Sequence, residues 1–202
     1  MIKTIIFDFG DVFINLDKSA TNKELLKFGL PSLTKEFIDI NESYEIGAIT
    51  TMEFINYYQK ALPNSSEQQI IDAWNAILKD FPIERLDFLK KLSNENKYKL
   101  ILLSNTNELH ISWIQENIPF YLDFKSCFDA FYLSHEIHLR KPNANIYEFV
   151  INKHQLSPTE TLFIDDTYAN TESAKQLRIN IWNNNPKTED ITELFTKKTD
   201  LF

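Results

Sequence analysis

Four short apolar runs, separated by long stretches with helical patterning, constrain this 202-residue chain more than any other feature. They are Thr4–Phe7, Leu100–Leu103, Ala130–Leu133 and Leu162–Ile164, with a weaker fifth at Ile179–Trp182. Runs that are apolar on both faces, each followed by a helical segment, predict parallel strands buried between two helical layers. The expected fold is therefore α/β, with a Rossmann-like doubly wound parallel sheet. Polar residues stand where three of these runs end: Asp8, Ser104-Asn105 and Asp165-Asp166. In such sheets ligands bind at the carboxyl ends of the strands, so these groups are expected to converge on one crevice.

About ninety residues lie between the first and second runs, and they read almost wholly as helix. Thr50 with Glu53, and Ser66 with Gln69, have capping-box spacing. Ile70, Ile71, Trp74, Ile77 and Leu78 then form an apolar face at helical spacing, expected to pack inside the insertion. A helical insertion of Leu16 to Pro82 follows, with Leu86–Leu92 as a helix of the main domain. The predicted division is residues 1–15 and 83–202 for the α/β core, and 16–82 for the insertion.

Composition narrows the classes of function. The chain has 29 acidic residues against 21 Lys and Arg, a formal net charge of −8. That disfavours nucleic-acid binding, which rests on clustered Lys and Arg, yet leaves room for a local basic pocket. Cys127 is the only cysteine, so no intramolecular disulfide or multi-cysteine zinc site is expected, and a half-buried structural thiol is. No apolar stretch has the length of a membrane span. These features predict a cytoplasmic protein with neither nucleic-acid nor membrane partners, monomeric or weakly homodimeric.

The strand-end groups together suit phosphoryl transfer, which needs a nucleophile, cations to neutralise oxygens, and donors to hold the group in line. Asp8 can supply the nucleophile. Asp165-Asp166 can hold magnesium, a hard cation that prefers oxygen ligands. Ser104 can donate its hydroxyl, and Lys141 can set a positive charge beside the same phosphate. Singly, each has a plainer role as turn former, helix cap or solvated charge. Their joint order at successive strand ends is what makes the catalytic reading the stronger one.

The sequences Phe7-Asp8-Phe9-Gly10-Asp11-Val12, Leu103-Ser104-Asn105-Thr106-Asn107, Arg140-Lys141-Pro142 and Phe163-Ile164-Asp165-Asp166 with Asn170 resemble the haloacid dehalogenase-like (HAD) hydrolase superfamily over essentially the full length. The insertion resembles that family's small helical cap. The stretch from Ser104 to Asn107 with His110, Ser134 and Arg140-Lys141-Pro142 with Ile146-Tyr147 is similar to the branch containing α-D-glucose-1-phosphate phosphatase. The resemblance implies an aspartyl-phosphate on Asp8 and magnesium held by Asp8, the Gly10 carbonyl and Asp166, with Asp165 acting directly or through water. It implies phosphate binding by Ser104 and the amides that follow, including that of Asn105, with Lys141 neutralising the nucleophile and Asn170 supporting the loop after Asp166. His110 is placed as a further candidate facing the crevice. The implied substrate is a small phosphorylated metabolite.

One position departs from the family pattern. The aspartate that usually stands two residues after the nucleophile, protonating the leaving oxygen, is Gly10 here, and Asp11 occupies the usual glycine position. A one-residue shift reverses side-chain direction along an extended strand, so Asp11 is no automatic substitute. The expectation is a preference for easily departing leaving groups, such as sugar 1-phosphates over 6-phosphates, or a proton supplied by Asp11 or a cap residue. Two further readings stand beside the phosphatase: a non-catalytic phosphometabolite-binding or protein-interaction module, and a metal-independent dehalogenase.

Overall fold

The computed structural model describes all 202 residues. Five parallel strands, β1 (Thr4–Phe7), β2 (Lys99–Ser104), β3 (Ala130–Leu133), β4 (Thr161–Asp165) and β5 (Asn180–Asn183), form one sheet in the order β3-β2-β1-β4-β5. Four helices separate β1 from the rest: α1 (Ala20–Lys27), α2 (Lys35–Glu45), α3 (Thr51–Ala61) and α4 (Glu67–Asn75). The remainder are α5 (Ile83–Glu95), α6 (Glu108–Asn117), α7 (Tyr121–Ser126), α8 (Ser134–Ile137), α9 (Ala144–His154), α10 (Tyr168–Gln176) and α11 (Leu194–Lys197). None is long and apolar enough to cross a membrane.

The strand runs are apolar throughout because both faces of the sheet are covered. Ile5 and Phe7 enter one core with Leu100, Leu102, Leu162 and Ile164. The alternate residues Ile6, Ile101, Leu103 and Phe163 enter the opposite core, against Ile146, Tyr147 and Val150 of α9. The strand period of two thus divides each run between the two layers. Observed strands reach one residue beyond most of the apolar runs, because Ser104 and Asp165 still pair with Leu133 and Asn183.

Helices α1–α4 bury a third, separate apolar cluster that includes Tyr44, Phe54, Tyr58, Ile70 and Trp74. Both predicted capping boxes are present, Thr50 with Glu53 and Ser66 with Gln69, which fixes where α3 and α4 begin. Phe54 stacks on Tyr44 with centroids 4.3 Å apart and meets Trp74 edge-on at 4.7 Å. Cys127 is buried and unpaired, as a structural thiol would be.

This layout places β1 in the middle of the sheet, flanked by β2 and β4. The residues just beyond those three strands are consequently neighbours in space. The α1–α4 layer rests over the same end of the sheet. Ser134 at the end of β3 donates to the Glu45 carbonyl at 2.6 Å, and His138 Nδ1 donates to the Ile46 carbonyl at 2.8 Å, both holding the end of α2.

Candidate active site

Lys141 stands at the centre of the crevice, its side chain 1% exposed. Nζ lies 2.7 Å from Asp8 Oδ1 and 2.7 Å from Asp165 Oδ2, and both carboxylates are nearly inaccessible. An ammonium so enclosed persists only because it is paired with carboxylates. Burial works against its charge, but Asp165 and Asp8 outweigh burial and raise the Lys141 pKa. Asn105 holds the lysine from behind: its side-chain oxygen accepts the Lys141 N–H and its amide donates to the Lys141 carbonyl, each at 2.9 Å.

The two consecutive aspartates have different surroundings. Asp165 accepts four hydrogen bonds besides any from solvent. Lys141 donates at 2.7 Å, the Thr167 N–H at 2.8 Å, and the Asn170 amide reaches both oxygens at 3.1 and 3.0 Å. Asn170 therefore braces Asp165, and α10 carries it there. Asp166 pairs instead with Lys18, which also reaches Asp11 Oδ2 at 3.0 Å. Burial raises the Asp166 pKa, with Lys18 opposing.

Carboxylate oxygens of Asp8, Asp165 and Asp166 all lie within 4.8 Å of one another. Burial lifts Asp8 well above the ordinary carboxylate range; Lys141 pulls it down, while Asp165 and Asp166 push it up again. Four close acids, Asp11 included, share only Lys141 and Lys18, which leaves negative charge that a hard divalent cation would neutralise. The Gly10 carbonyl takes no hydrogen bond from the surrounding loop, so it too is open to such a cation. The donor set, all oxygen, fits magnesium.

On the phosphate side, β2 delivers Ser104 with its hydroxyl almost free, the nearest acceptor being the Asn105 carbonyl at 3.5 Å. The Asn105 N–H has no acceptor in the protein, whereas that of Thr106 is bound to Ser134 Oγ at 2.9 Å. Ser104 Oγ and the Asn105 N–H are thus the open donors at this strand end.

His110 faces the crevice beside Ser104 and Asn105. Its ring stacks on Trp74 at 5.3 Å, Nδ1 meets the Asn107 amide at 3.1 Å and Nε2 meets the Trp74 carbonyl at 3.3 Å. Burial lowers its pKa to about 4, against a smaller opposing effect of the Trp74 carbonyl. A neutral ring with both nitrogens occupied joins α6 to α4, and it lines the same cavity as Gly10, Ser104 and Asn105.

Asp11 has φ of 54°, the left-handed region, which gives a physical reason for glycine at this place in the family pattern. Its carboxylate accepts the Leu16 N–H at 3.0 Å and pairs with Lys18. Gly10 is closely approached: a Cβ there would lie 2.7 Å from Leu16 Cδ1. Leu16, Lys18 and Glu45 are the site neighbours that spacing did not single out. Leu16 and Glu45 line, with Gly10, Ser104 and Asn105, a cavity of about 180 Å³. A larger cleft of about 330 Å³ around Phe88, Tyr98 and Phe195 lies toward the amino end of β2, away from every one of these groups.

The comparisons agree with this geometry. Residues 2–178 match the haloacid dehalogenase-like hydrolase model. Over 193 residues the chain is 28% identical to the D-ribitol-5-phosphate phosphatase of Bacteroides thetaiotaomicron, spanning 88% of this chain and 89% of that one. A HAD family enzyme of the same organism, solved as a magnesium complex, superposes with TM-score 0.86 at 36% identity, over 96% of this chain and 98% of that chain. Its complex with magnesium and inorganic phosphate gives 0.83 at 33%, over 96% and 100%. A HAD-like hydrolase of Porphyromonas gingivalis gives 0.78 at 29%, over 90% of each. The chain belongs to the haloacid dehalogenase-like hydrolase family.

Proposed function

We propose that this chain is a magnesium-dependent phosphatase that hydrolyses a small phosphorylated metabolite through a phosphoryl-Asp8 intermediate. The observation that carries the reading is Asp8 held at 2.7 Å by a buried lysine that Asp165 also grips. Magnesium, when bound, would neutralise charge on the phosphoryl oxygens, and Asp8, Asp166, the Gly10 carbonyl and Asp165 are the groups to hold it. Lys141 favours the ionised form of Asp8 against burial and holds its carboxylate in place. Asp8 attacks, the ester oxygen departs, and Ser104 with the Asn105 N–H holds the phosphoryl group in line. Water then attacks the phosphorus and releases Asp8.

The missing carboxylate at Gly10 bears on the leaving group. General acid–base help contributes ~10²–10⁴-fold, and it matters least when the leaving oxygen is weakly basic. Gly10 thus favours sugar 1-phosphates, whose anomeric oxygen departs readily. The named D-ribitol-5-phosphate phosphatase relative favours a terminal polyol phosphate instead. The substrate class that accommodates both is sugar and polyol monophosphates. Turnover of a hexose 1-phosphate, a hexose 6-phosphate and a pentitol 5-phosphate, with magnesium or chelator, tests the reading. Magnesium-dependent release of phosphate, absent in Asp8→Asn, is expected; turnover that survives chelation would sink it, and a preference for the 6-phosphate would remove the 1-phosphate reading.

A further inference from the structure

With the usual acid–base position empty, the leaving group must meet something other than a core aspartate. The 180 Å³ cavity that Gly10 lines carries one carboxylate, Glu45, the last residue of α2. Its place is fixed from both ends. The Glu45 carbonyl is held by Ser134 at 2.6 Å, and Oε2 is held by Arg140 Nη2 at 3.1 Å and Nε at 3.3 Å. Arg140 directly precedes Lys141, whose ammonium holds the nucleophile, so Glu45 is tied to the catalytic lysine through one peptide bond and one ion pair.

The other oxygen, Oε1, has no hydrogen-bond partner in the protein, and the side chain is 27% exposed. Arg140 is shared, since Nη1 also binds Glu42 Oε1 at 3.0 Å. One guanidinium between two carboxylates leaves a surplus negative charge here. Burial holds the Glu45 pKa above the usual carboxylate range even against Arg140, and Glu42 adds to the rise. A neutral hydroxyl would supply a donor to the free oxygen, while an anionic leaving group would be repelled.

Resting on the phosphatase reading above, we infer that Glu45 is a specificity-determining residue. Its free Oε1 accepts a hydrogen bond from a hydroxyl of the leaving group. The site thereby selects esters of neutral polyhydroxylated alcohols over plain alkyl, aryl or acid-bearing esters. A site built to bond a hydroxyl discriminates strongly against analogues lacking it, because its own polar group is then left unpaired.

The test compares kcat and KM of the wild type and Glu45→Gln on a pentitol 5-phosphate, n-butyl phosphate and phenyl phosphate, with magnesium. The amide can still meet Arg140 through its oxygen but turns the free acceptor into a donor, so the fold is spared; a thermal melt checks this. The preference for the pentitol ester over the butyl ester should fall ~10-fold or more, with KM carrying most of the change. Glu45→Ala, tested in parallel, should lower the same ratio. An equal loss on all three esters, or no loss, overturns the assignment. So does a fall in kcat on both alkyl esters that spares phenyl phosphate, since that pattern belongs to proton transfer. A folded wild type that hydrolyses none of the three removes the phosphatase reading itself.

Discussion

The two ends of this site are built on opposite principles. At the phosphoryl end, Asp8, Lys141, Asp165 and Asn170 form a buried network in which Lys141 and both oxygens of Asp165 are engaged. At the leaving-group end, Gly10 contributes no side chain, Leu16 crowds the space where one would begin, and Glu45 carries a free oxygen. The first end is rigid because an unpaired charge there would be very costly. The second is open and is walled by the helical layer, so it can vary with the substrate. On the proposed reading, chemistry sits at the closely paired end and selectivity at the open one.

Breaking the closed end should have the largest effect. Lys141→Met leaves Asp8 and Asp165 without their shared cation. A loss of ~3–5 kcal/mol in denaturant unfolding is expected, together with a fall of ~10²-fold or more in kcat. A stable, active variant would mean that the lysine is not the organising charge.

Replacing each aspartate separately sharpens the contrast. Asp165→Asn removes an acceptor of four hydrogen bonds and should lower both stability and activity. Asp166→Asn faces Lys18 and the cation position, so it should weaken magnesium binding by ~10-fold or more, read by calorimetry, with little change in melting. Identical behaviour of the two variants would show that the division of labour between them is wrong.

The open end invites addition rather than removal. Gly10→Asp requires only the end of the Leu16 side chain to turn away, so alone it should destabilise by about 1 kcal/mol. Combined with Leu16→Ala it should speed hydrolysis of alkyl esters, up to ~10²-fold, while changing aryl esters little. No gain on alkyl esters would place the proton donor elsewhere.

The smallest effect concerns the seam between α4 and α6. His110 is held near pKa 4 when folded against an ordinary 6.5, so the unfolded chain binds the extra proton. Its contribution to stability is present above pH 6.5 and is lost as pH falls toward 4, by on the order of 2 kcal/mol. His110→Gln should flatten the stability–pH curve in that window; an unchanged slope would show that the ring does not titrate this way.

Much of this was legible before any fold was known. The strands were visible because burial on both faces leaves an uninterrupted apolar run, and α3 and α4 announced their starts through Thr50-Glu53 and Ser66-Gln69. Asp8, Ser104, Lys141 and the aspartate pair were visible because strand ends converge in a parallel sheet. What spacing could not convey was how α1–α4 settle over that end. Glu45, Lys18 and Leu16 acquire meaning only through Arg140, Asp166 and Gly10, which lie far from them in sequence or around a turn. His110 shows the same limit, since its place in the crevice was expected but its stacking on Trp74 was not. Asp11 was visible as an oddity, but its left-handed backbone and bond to the Leu16 N–H were not.

The central claim is that Asp8 is the atom donor to phosphorus. Acid-quenching the enzyme during turnover of a sugar or polyol phosphate with magnesium, followed by peptide mass spectrometry, tests it directly. The account predicts one phosphoryl group on the peptide bearing Asp8 in the wild type, and neither label nor turnover in Asp8→Asn. Undiminished hydrolysis by Asp8→Asn, or a phosphoryl group carried on another residue, would contradict it.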